Sequence, residues 1–67
     1  MPKAIIIGRE LDCDGRYYDI DSVVKLTLSG DAVAVEFLNG DSIKMDADPI
    51  LFYSIGDCCP WATKILA

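Results

Sequence analysis

Carboxylates recur at alternate positions in the first third of this 67-residue chain. Glu10, Asp12 and Asp14 alternate, and Asp19 and Asp21 repeat the pattern. On a strand, alternate side chains share a face and lie about 6.6 Å apart, from the rise per residue. Successive phosphates of a nucleic-acid strand have a similar separation. We therefore expect a charged array that imitates nucleic acid and binds a basic partner protein; the alternative is an ordinary solvated acidic rim.

The same segment approaches the spacing of a calcium-binding loop. Glu10, Asp12, Asp14 and Asp21 fall at loop positions one, three, five and twelve, with Gly15 at position six. Glu replaces the usual Asp at position one, Asp replaces the bidentate Glu at position twelve, and the flanks have strand patterns where helices are required. Asp14-Gly15 is also a strong signal for a two-residue hairpin turn. We therefore predict a hairpin turn at Asp14-Gly15, and we expect neither a bound metal nor a cofactor.

Aromatic and sulfur-containing side chains are the other candidates for chemistry. Tyr17, Tyr18 and Trp61 are the expected anchors of an interaction surface. Cys58 and Cys59 are adjacent, whereas redox pairs have two intervening residues. A zinc site needs four ligands, and the chain has three cysteines and no histidine. We expect buried thiols, with a zinc ion shared across a dimer as the alternative.

No catalytic residue is predicted. Without histidine, acid–base chemistry would fall to carboxylates or tyrosines, and nothing in the sequence marks one of them as perturbed. The serines lack an evident base, and the chain contains neither a glycine-rich phosphate loop nor a dinucleotide fingerprint. The sequence therefore predicts a non-enzymatic protein that acts as an inhibitor or decoy of a nucleic-acid-handling partner.

Charge and composition narrow the expected partners and location. Eleven acidic and six basic residues give a net charge of −5, which disfavours direct binding to nucleic-acid phosphates. No apolar run approaches the length of a transmembrane helix or of a signal peptide's apolar region. Three cysteines cannot all pair within one chain, which agrees with a reducing compartment. We expect a cytoplasmic protein with a basic protein partner and no membrane association.

The apolar content is high for so short a chain. Hydrophobic residues make up 52% of the sequence, more than a domain of this size can bury. We expect a homo-oligomer, most simply a homodimer; the alternative is a monomer with a few exposed aliphatic side chains. A second functional hypothesis follows, namely a small-molecule or metal-binding module with its pocket at the subunit interface, lined by the same aromatics.

The elements that position these residues begin with an antiparallel meander in the middle of the chain. If Gly30-Asp31 is a two-residue loop, the alternating apolar residues of the flanking strands share one face. The predicted cross-strand pairs are Leu28 with Val33, Leu26 with Val35, and Val24 with Phe37.

The alternation of side chains between the two faces, which we call parity, also determines the length of the second hairpin loop. A two-residue Asn39-Gly40 loop would place Val35 opposite Lys44, so it is rejected. A three-residue loop from Leu38 to Gly40, with Gly40 left-handed, restores the common face. The predicted pairs are then Val35 with Ile43, and Val33 with Met45.

The flanking segments complete the predicted fold. Residues 4–7 form a strand covered on both sides, and residues 17–20 form a short second strand. Asp48 caps a helix over residues 50–55 that ends at Gly56, followed by an irregular tail. We predict one small mainly β domain over residues 1–67, with four or five antiparallel strands in a bent sheet or open barrel and a short C-terminal helical or irregular segment.

Overall fold

The computed structural model describes residues 4–67, which form seven strands, an α-helix and one turn of 3-10 helix. The strands are β1 (Ala4–Ile7), β2 (Glu10–Cys13), β3 (Arg16–Asp19), β4 (Val23–Leu28), β5 (Ala32–Phe37), β6 (Ser42–Asp46) and β7 (Thr63–Leu66). The helix α1 spans Pro49–Cys58, and the 3-10 helix spans Ile20–Ser22. The predicted mainly β class with a C-terminal helical segment is confirmed; residues 1–3 of the predicted domain lie outside the described part.

The strands form two sheets. The first is antiparallel in the order β1-β2-β3, and the second has the order β6-β5-β4-β7 with β7 parallel to β4. The predicted meander is β4-β5-β6. The additional strands come from the N-terminal segment, which forms a three-stranded sheet of its own, and from the C-terminal tail. Residues 4–67 form no closed barrel.

The meander register is largely as parity predicts. Leu26 pairs with Val35 and Leu28 with Val33, and Ser29 N donates to Ala32 O at 3.0 Å across the two-residue loop. In the second hairpin, Phe37 N donates to Asp41 O at 2.9 Å across the three-residue loop. Gly40 has a φ of +93° in that loop, and Val33 pairs with Met45 and Val35 with Ile43, as predicted.

The start of β4 departs from simple alternation. Val23, rather than Val24, lies opposite Phe37, because the register shifts by one residue between Val23 and Lys25. The extra residue of this β-bulge turns Val24 outward, where it is 40% exposed, while Val23 is completely buried. The predicted pairing of Val24 with Phe37 is therefore wrong. Parity counted from the turn fails once a bulge intervenes.

The hydrophobic core lies between the two sheets and beneath α1. It includes one aromatic stack, in which Tyr18 of β3 lies against Phe37 of β5 with ring centroids 4.7 Å apart. Its fully or almost fully buried members come from both sheets, the helices and the C-terminal loop: Leu11, Cys13, Ile20, Val23, Leu26, Val33, Val35, Phe37, Met45, Phe52, Ile55, Cys59 and Ala62.

The helix α1 begins as predicted and ends later. Asp48 Oδ1 accepts from Ile50 N at 3.0 Å and from Leu51 N at 3.3 Å, and Pro49 takes the first helical position. The helix continues past Gly56 to Cys58, so the predicted end at Gly56 is wrong. Gly56 instead permits close packing, since an added Cβ would lie 2.9 Å from Lys64 Cε.

The C-terminal tail is a strand instead of an irregular segment. Residues 63–66 pair with β4 in parallel, and Ala67 N continues the ladder with a 2.8 Å bond to Leu28 O. Lys64 Nζ donates to Cys59 O and Ala62 O at 3.1 Å each, which satisfies carbonyls just beyond α1.

The N-terminal strand lies at a sheet edge, with only one face packed on the core. Ile6 is partly buried, whereas Ile5 and Ile7 are 63% and 54% exposed. The expectation that residues 4–7 are covered on both sides is wrong, because only the face with Ala4 and Ile6 packs against the core and the face with Ile5 and Ile7 is exposed. Neither helix among residues 4–67 meets the length and hydropathy that a membrane-spanning helix requires.

Candidate protein-interaction site

Four of the eight predicted site residues lie on one surface of the first sheet. We call this surface the outer face; it consists of two cross-strand rows. The rows are Ile5–Asp12–Tyr17 and Ile7–Glu10–Asp19. The outer face therefore presents three carboxylates and three large apolar side chains, and it contains no basic residue.

Packing of the opposite surface fixes which residues face outward. Leu11 is completely buried, and its row neighbours Ile6 and Tyr18 pack against the same core. Because successive strand residues alternate, burial of Leu11 directs Glu10 and Asp12 outward. Tyr18 is therefore partly buried against the core and stacked on Phe37, and of the two predicted tyrosine anchors only Tyr17 is on the outer face.

The Asp14-Gly15 turn has the predicted two-residue form. Both residues have positive φ, 54° and 82°, and Cys13 pairs with Arg16 across them. Asp12 Oδ1 also accepts from Gly15 N at 3.1 Å. Asp14 consequently lies at the end of the sheet and does not continue the line of Glu10 and Asp12.

Asp19 and Asp21 have contacts within the protein. Asp19 Oδ1 accepts from Asp21 N at 2.9 Å, which caps the 3-10 helix. The carboxylate of Asp21 is paired with the Arg9 guanidinium. Asp21 is therefore partly neutralised and is not part of the outer face, whereas Asp19 both caps the helix and closes one row.

Arg9 connects segments that are distant in sequence. Its Nη1 donates to Cys58 O at 2.9 Å, a favourable position for a cation at the end of α1. The guanidinium lies 5.7 Å from the centre of the Trp61 ring, and Trp61 Nε1 donates to Val23 O at 2.8 Å. The hydrogen bond to Asp21 raises the pKa of Arg9. Trp61, 53% exposed, thus holds the C-terminal loop to β4 and is not a member of either row of the outer face.

Ile5 and Ile7 are the site residues that sequence reasoning missed. A signal was available, because Gly8, with a φ of +60°, and Arg9 form a two-residue turn that brings Ile7 opposite Glu10. Without that turn, the run Ala-Ile-Ile-Ile does not show which of its residues point outward.

The other candidate chemistries gain no supporting geometry. Within residues 4–67, no three His, Cys, Asp or Glu side chains are grouped so that they could hold a metal ion. A shallow pocket of about 330 Å³ lies between the start of β1 and the connection from β6 to α1. None of the predicted aromatics contributes to it; its lining residues are Ala4, Asp46, Ala47, Asp48, Pro49 and Leu51.

The three thiols differ in burial, which predicts their reactivity. All are free; Cys13 and Cys59 are buried, while Cys58 is partly exposed. Burial raises the pKa of the Cys13 and Cys59 thiols and so lowers their thiolate fraction. We expect Ellman's reagent, at about pH 8, to modify Cys58 in a fast phase and the other two only as the protein opens.

The control is Cys58→Ser, which should remove the fast phase and leave the slow one. Equal rates for all three thiols in the native protein would contradict the burial.

The raised pKa values of Cys13 and Cys59 also have a consequence for stability. As pH rises through the ordinary thiol value of 9.0, the unfolded state loses these protons first, so this contribution to stability is complete below that pH and falls above it.

Comparisons with known proteins found no match: no family model, no curated protein and no solved structure is significantly similar to this chain. The geometry of the outer face is therefore the basis for a functional proposal.

Proposed function

We propose that this chain is a non-enzymatic interaction protein whose outer face occupies the basic surface of a nucleic-acid-handling protein, as an inhibitor or decoy. The observation behind the proposal is that the exposed isoleucines of β1 lie directly beside the carboxylates of Glu10 and Asp12 on one face of the first sheet. Exposed apolar surface rimmed by polar residues is typical of protein–protein interfaces.

The rows of the outer face match the chemistry of lysine and arginine. These side chains have an aliphatic stem and a cationic end, and they bury the stem against apolar surface while the end meets a polar group. In one row, Ile5 can contact the stem while Asp12 pairs with the cation, and Tyr17 offers a ring for cation–π stacking. In the other row, Ile7 and Glu10 offer the same arrangement, next to Asp19.

Long-range electrostatics support the same class of partner. The net charge of −5 attracts basic surfaces and repels nucleic acid itself. Two successive carboxylates of β2, Glu10 and Asp12, have the ~6.6 Å separation of alternate strand residues. In this proposal the carboxylates of Glu10, Asp12 and Asp19 take the place of backbone phosphates, and Asp14 adds negative charge at the end of the sheet.

The test is a matched pair of charge reversals. Glu10→Lys changes the centre of the outer face, and Asp31→Lys makes the same change in net charge in the exposed loop between β4 and β5. A partner is captured on the immobilised protein and identified, and its dissociation constant is measured by calorimetry at several salt concentrations. We expect Glu10→Lys to weaken binding at least about tenfold, or ~1.4 kcal/mol, and Asp31→Lys to have little effect.

Two further readouts distinguish the functional hypotheses. The protein should displace a labelled oligonucleotide from the captured partner, and affinity should fall steeply as salt rises. Equal affinities for the two variants, or a partner whose nucleic-acid binding is unchanged, would contradict the proposal. Thermal stabilisation by a small ligand without any protein partner would favour the alternative ligand-binding module.

A further inference from the structure

We propose that two copies of this chain pair in antiparallel fashion along β1, giving a six-stranded sheet in the order β3-β2-β1-β1-β2-β3. Within the described residues, β1 has β2 on one side and no strand on the other. The inference concerns assembly and does not require that the outer face bind a basic partner.

The backbone of β1 is oriented for such pairing. The two-residue turn at Gly8-Arg9 closes on the pair Ile7–Glu10, so Ile7 and Ile5 form the ladder bonds to β2. The 3.0 Å hydrogen bond from Ile20 N to Arg9 O supports this assignment. It shows that the backbone groups of the odd-numbered β2 residues face β3, so those of the even-numbered β2 residues face β1. The N–H and C=O groups of Ala4 and Ile6 therefore point away from the sheet.

The other edge strands carry charges that β1 lacks. Charged side chains, proline and bulges are the usual means by which proteins prevent edge-to-edge pairing. The remaining edges of the two sheets each contain at least one Lys, Arg or Asp, and β1 contains Ala and Ile alone. These charged edge residues are Arg16 and Asp19 in β3, Lys44 and Asp46 in β6, and Lys64 in β7.

The β1 edge is also self-complementary. In a two-fold pair centred on Ile6, Ile5 lies opposite Ile7 of the partner subunit, and Ile7 lies opposite Ile5 of the partner subunit. Both pairs are on the outer face, where these side chains are 63% and 54% exposed in the single chain. Cross-strand β-branched pairs stabilise sheets, and an interface that repeats itself in this way is the closed form expected of a dimer.

Charge repulsion between the two acidic sheets is small in this arrangement. The carboxylates nearest the interface are on β2, and the two β2 strands are three strand spacings apart, or about 14 Å. This exceeds the Debye length of ~8 Å at physiological ionic strength. Salt should therefore strengthen the dimer by screening the remaining repulsion, the opposite of its effect on binding to a basic partner.

The interface is small, so the dimer should be weak. A standard interface buries ~800 Å² per partner, which would be about a fifth of the 4134 Å² surface of this chain. Pairing of four-residue strands covers less. We expect a dissociation constant on the order of 10–100 µM, with the mass in solution rising from 7.3 kDa toward twice that value as concentration increases.

The test combines light scattering between ~5 µM and ~1 mM with amide hydrogen exchange over the same range. Ile7→Lys introduces a charge at the β1 edge, and Ile50→Lys makes the same substitution at an exposed position of α1. We expect wild type and Ile50→Lys to dimerise and Ile7→Lys to remain monomeric. Exchange of the Ile6 amide should slow at high concentration in wild type and in Ile50→Lys, but not in Ile7→Lys. Higher salt should increase the dimer fraction.

Three results would overturn the proposal. The first is a mass of 7.3 kDa at the highest concentration. The second is dimerisation of Ile7→Lys equal to that of wild type. The third is a doubled mass with Ile6 exchange unchanged, which would place the interface on another surface.

Discussion

Val23→Asp is expected to unfold the protein, whereas Val24→Asp should leave it folded. Val23 is completely buried opposite Phe37, while its neighbour Val24 is 40% exposed at the bulge. The substitution would remove the apolar contacts of the valine and bury a carboxylate that has no cationic partner in the core. We expect it to lower the free energy of unfolding by at least ~4 kcal/mol. Total stability for a chain of this length is about 3–10 kcal/mol, so little or none would remain.

The matched control makes this a test of the bulge. Simple alternation counted from the turn at Gly30-Asp31 would bury Val24 instead, and it would make Val24→Asp the damaging change. We expect Val24→Asp to cost within ~1 kcal/mol, as exposed substitutions usually do. Urea unfolding followed by Trp61 fluorescence measures both variants. A larger loss of stability in Val24→Asp than in Val23→Asp would contradict the register at the start of β4.

Ile65→Pro is expected to destabilise the fold by roughly 2–4 kcal/mol, whereas Leu66→Pro should be tolerated. Ala67 N donates to Leu28 O, so in the parallel ladder the N–H groups of residues 63 and 65 also face β4. Proline at position 65 would remove one of these donors and leave a β4 carbonyl unpaired. At position 66 the N–H faces away from β4, and proline is accepted in edge strands with that orientation.

Side-chain loss must be separated from the backbone effect in this comparison. Ile65 is partly buried and Leu66 is 66% exposed, so Ile65→Ala and Leu66→Ala are measured alongside the proline variants. The difference between proline and alanine at each position isolates the missing N–H. Similar differences at positions 65 and 66 would show that β7 does not pair with β4 in the described register.

The two proposals make opposite predictions about salt, which allows each to stand without the other. Binding of a basic partner to Glu10 and Asp12 should weaken as salt rises, while pairing along β1 should strengthen. If both hold, the dimer combines two outer faces into one surface, with isoleucines at its centre and carboxylates on both sides. Ile7→Lys would then reduce dimerisation and partner binding together, whereas Glu10→Lys would reduce partner binding and leave the dimer.

Much of the site was accessible from the sequence because its geometry depends on local rules. The alternation of Glu10 and Asp12 places them on one face of any strand, and Asp14-Gly15 has the residue types that a two-residue turn requires. The same turn sets Tyr17 opposite Asp12 and Tyr18 opposite Leu11, but which of these two rows packs on the core depends on contacts between the sheets. The stacking of Tyr18 on Phe37, a contact between the two sheets, decides it.

Local rules applied to the sequence are sufficient to predict the mainly β class, the register of β5 with β6 and with β4 from Leu26 to Leu28, the loop at Gly40 and the Asp48 cap. Each follows from interactions between residues close in the chain, where side-chain parity, turn chemistry and capping act directly.

The packed structure was needed to establish the burial of Val23, the pairing of residues 63–66 with β4, and the structural roles of Asp21 and Trp61. Their determinants join distant segments: the bonds from Arg9 to Cys58 and from Trp61 to Val23 span 49 and 38 residues. Such contacts depend on how whole elements pack, and no local pattern encodes them.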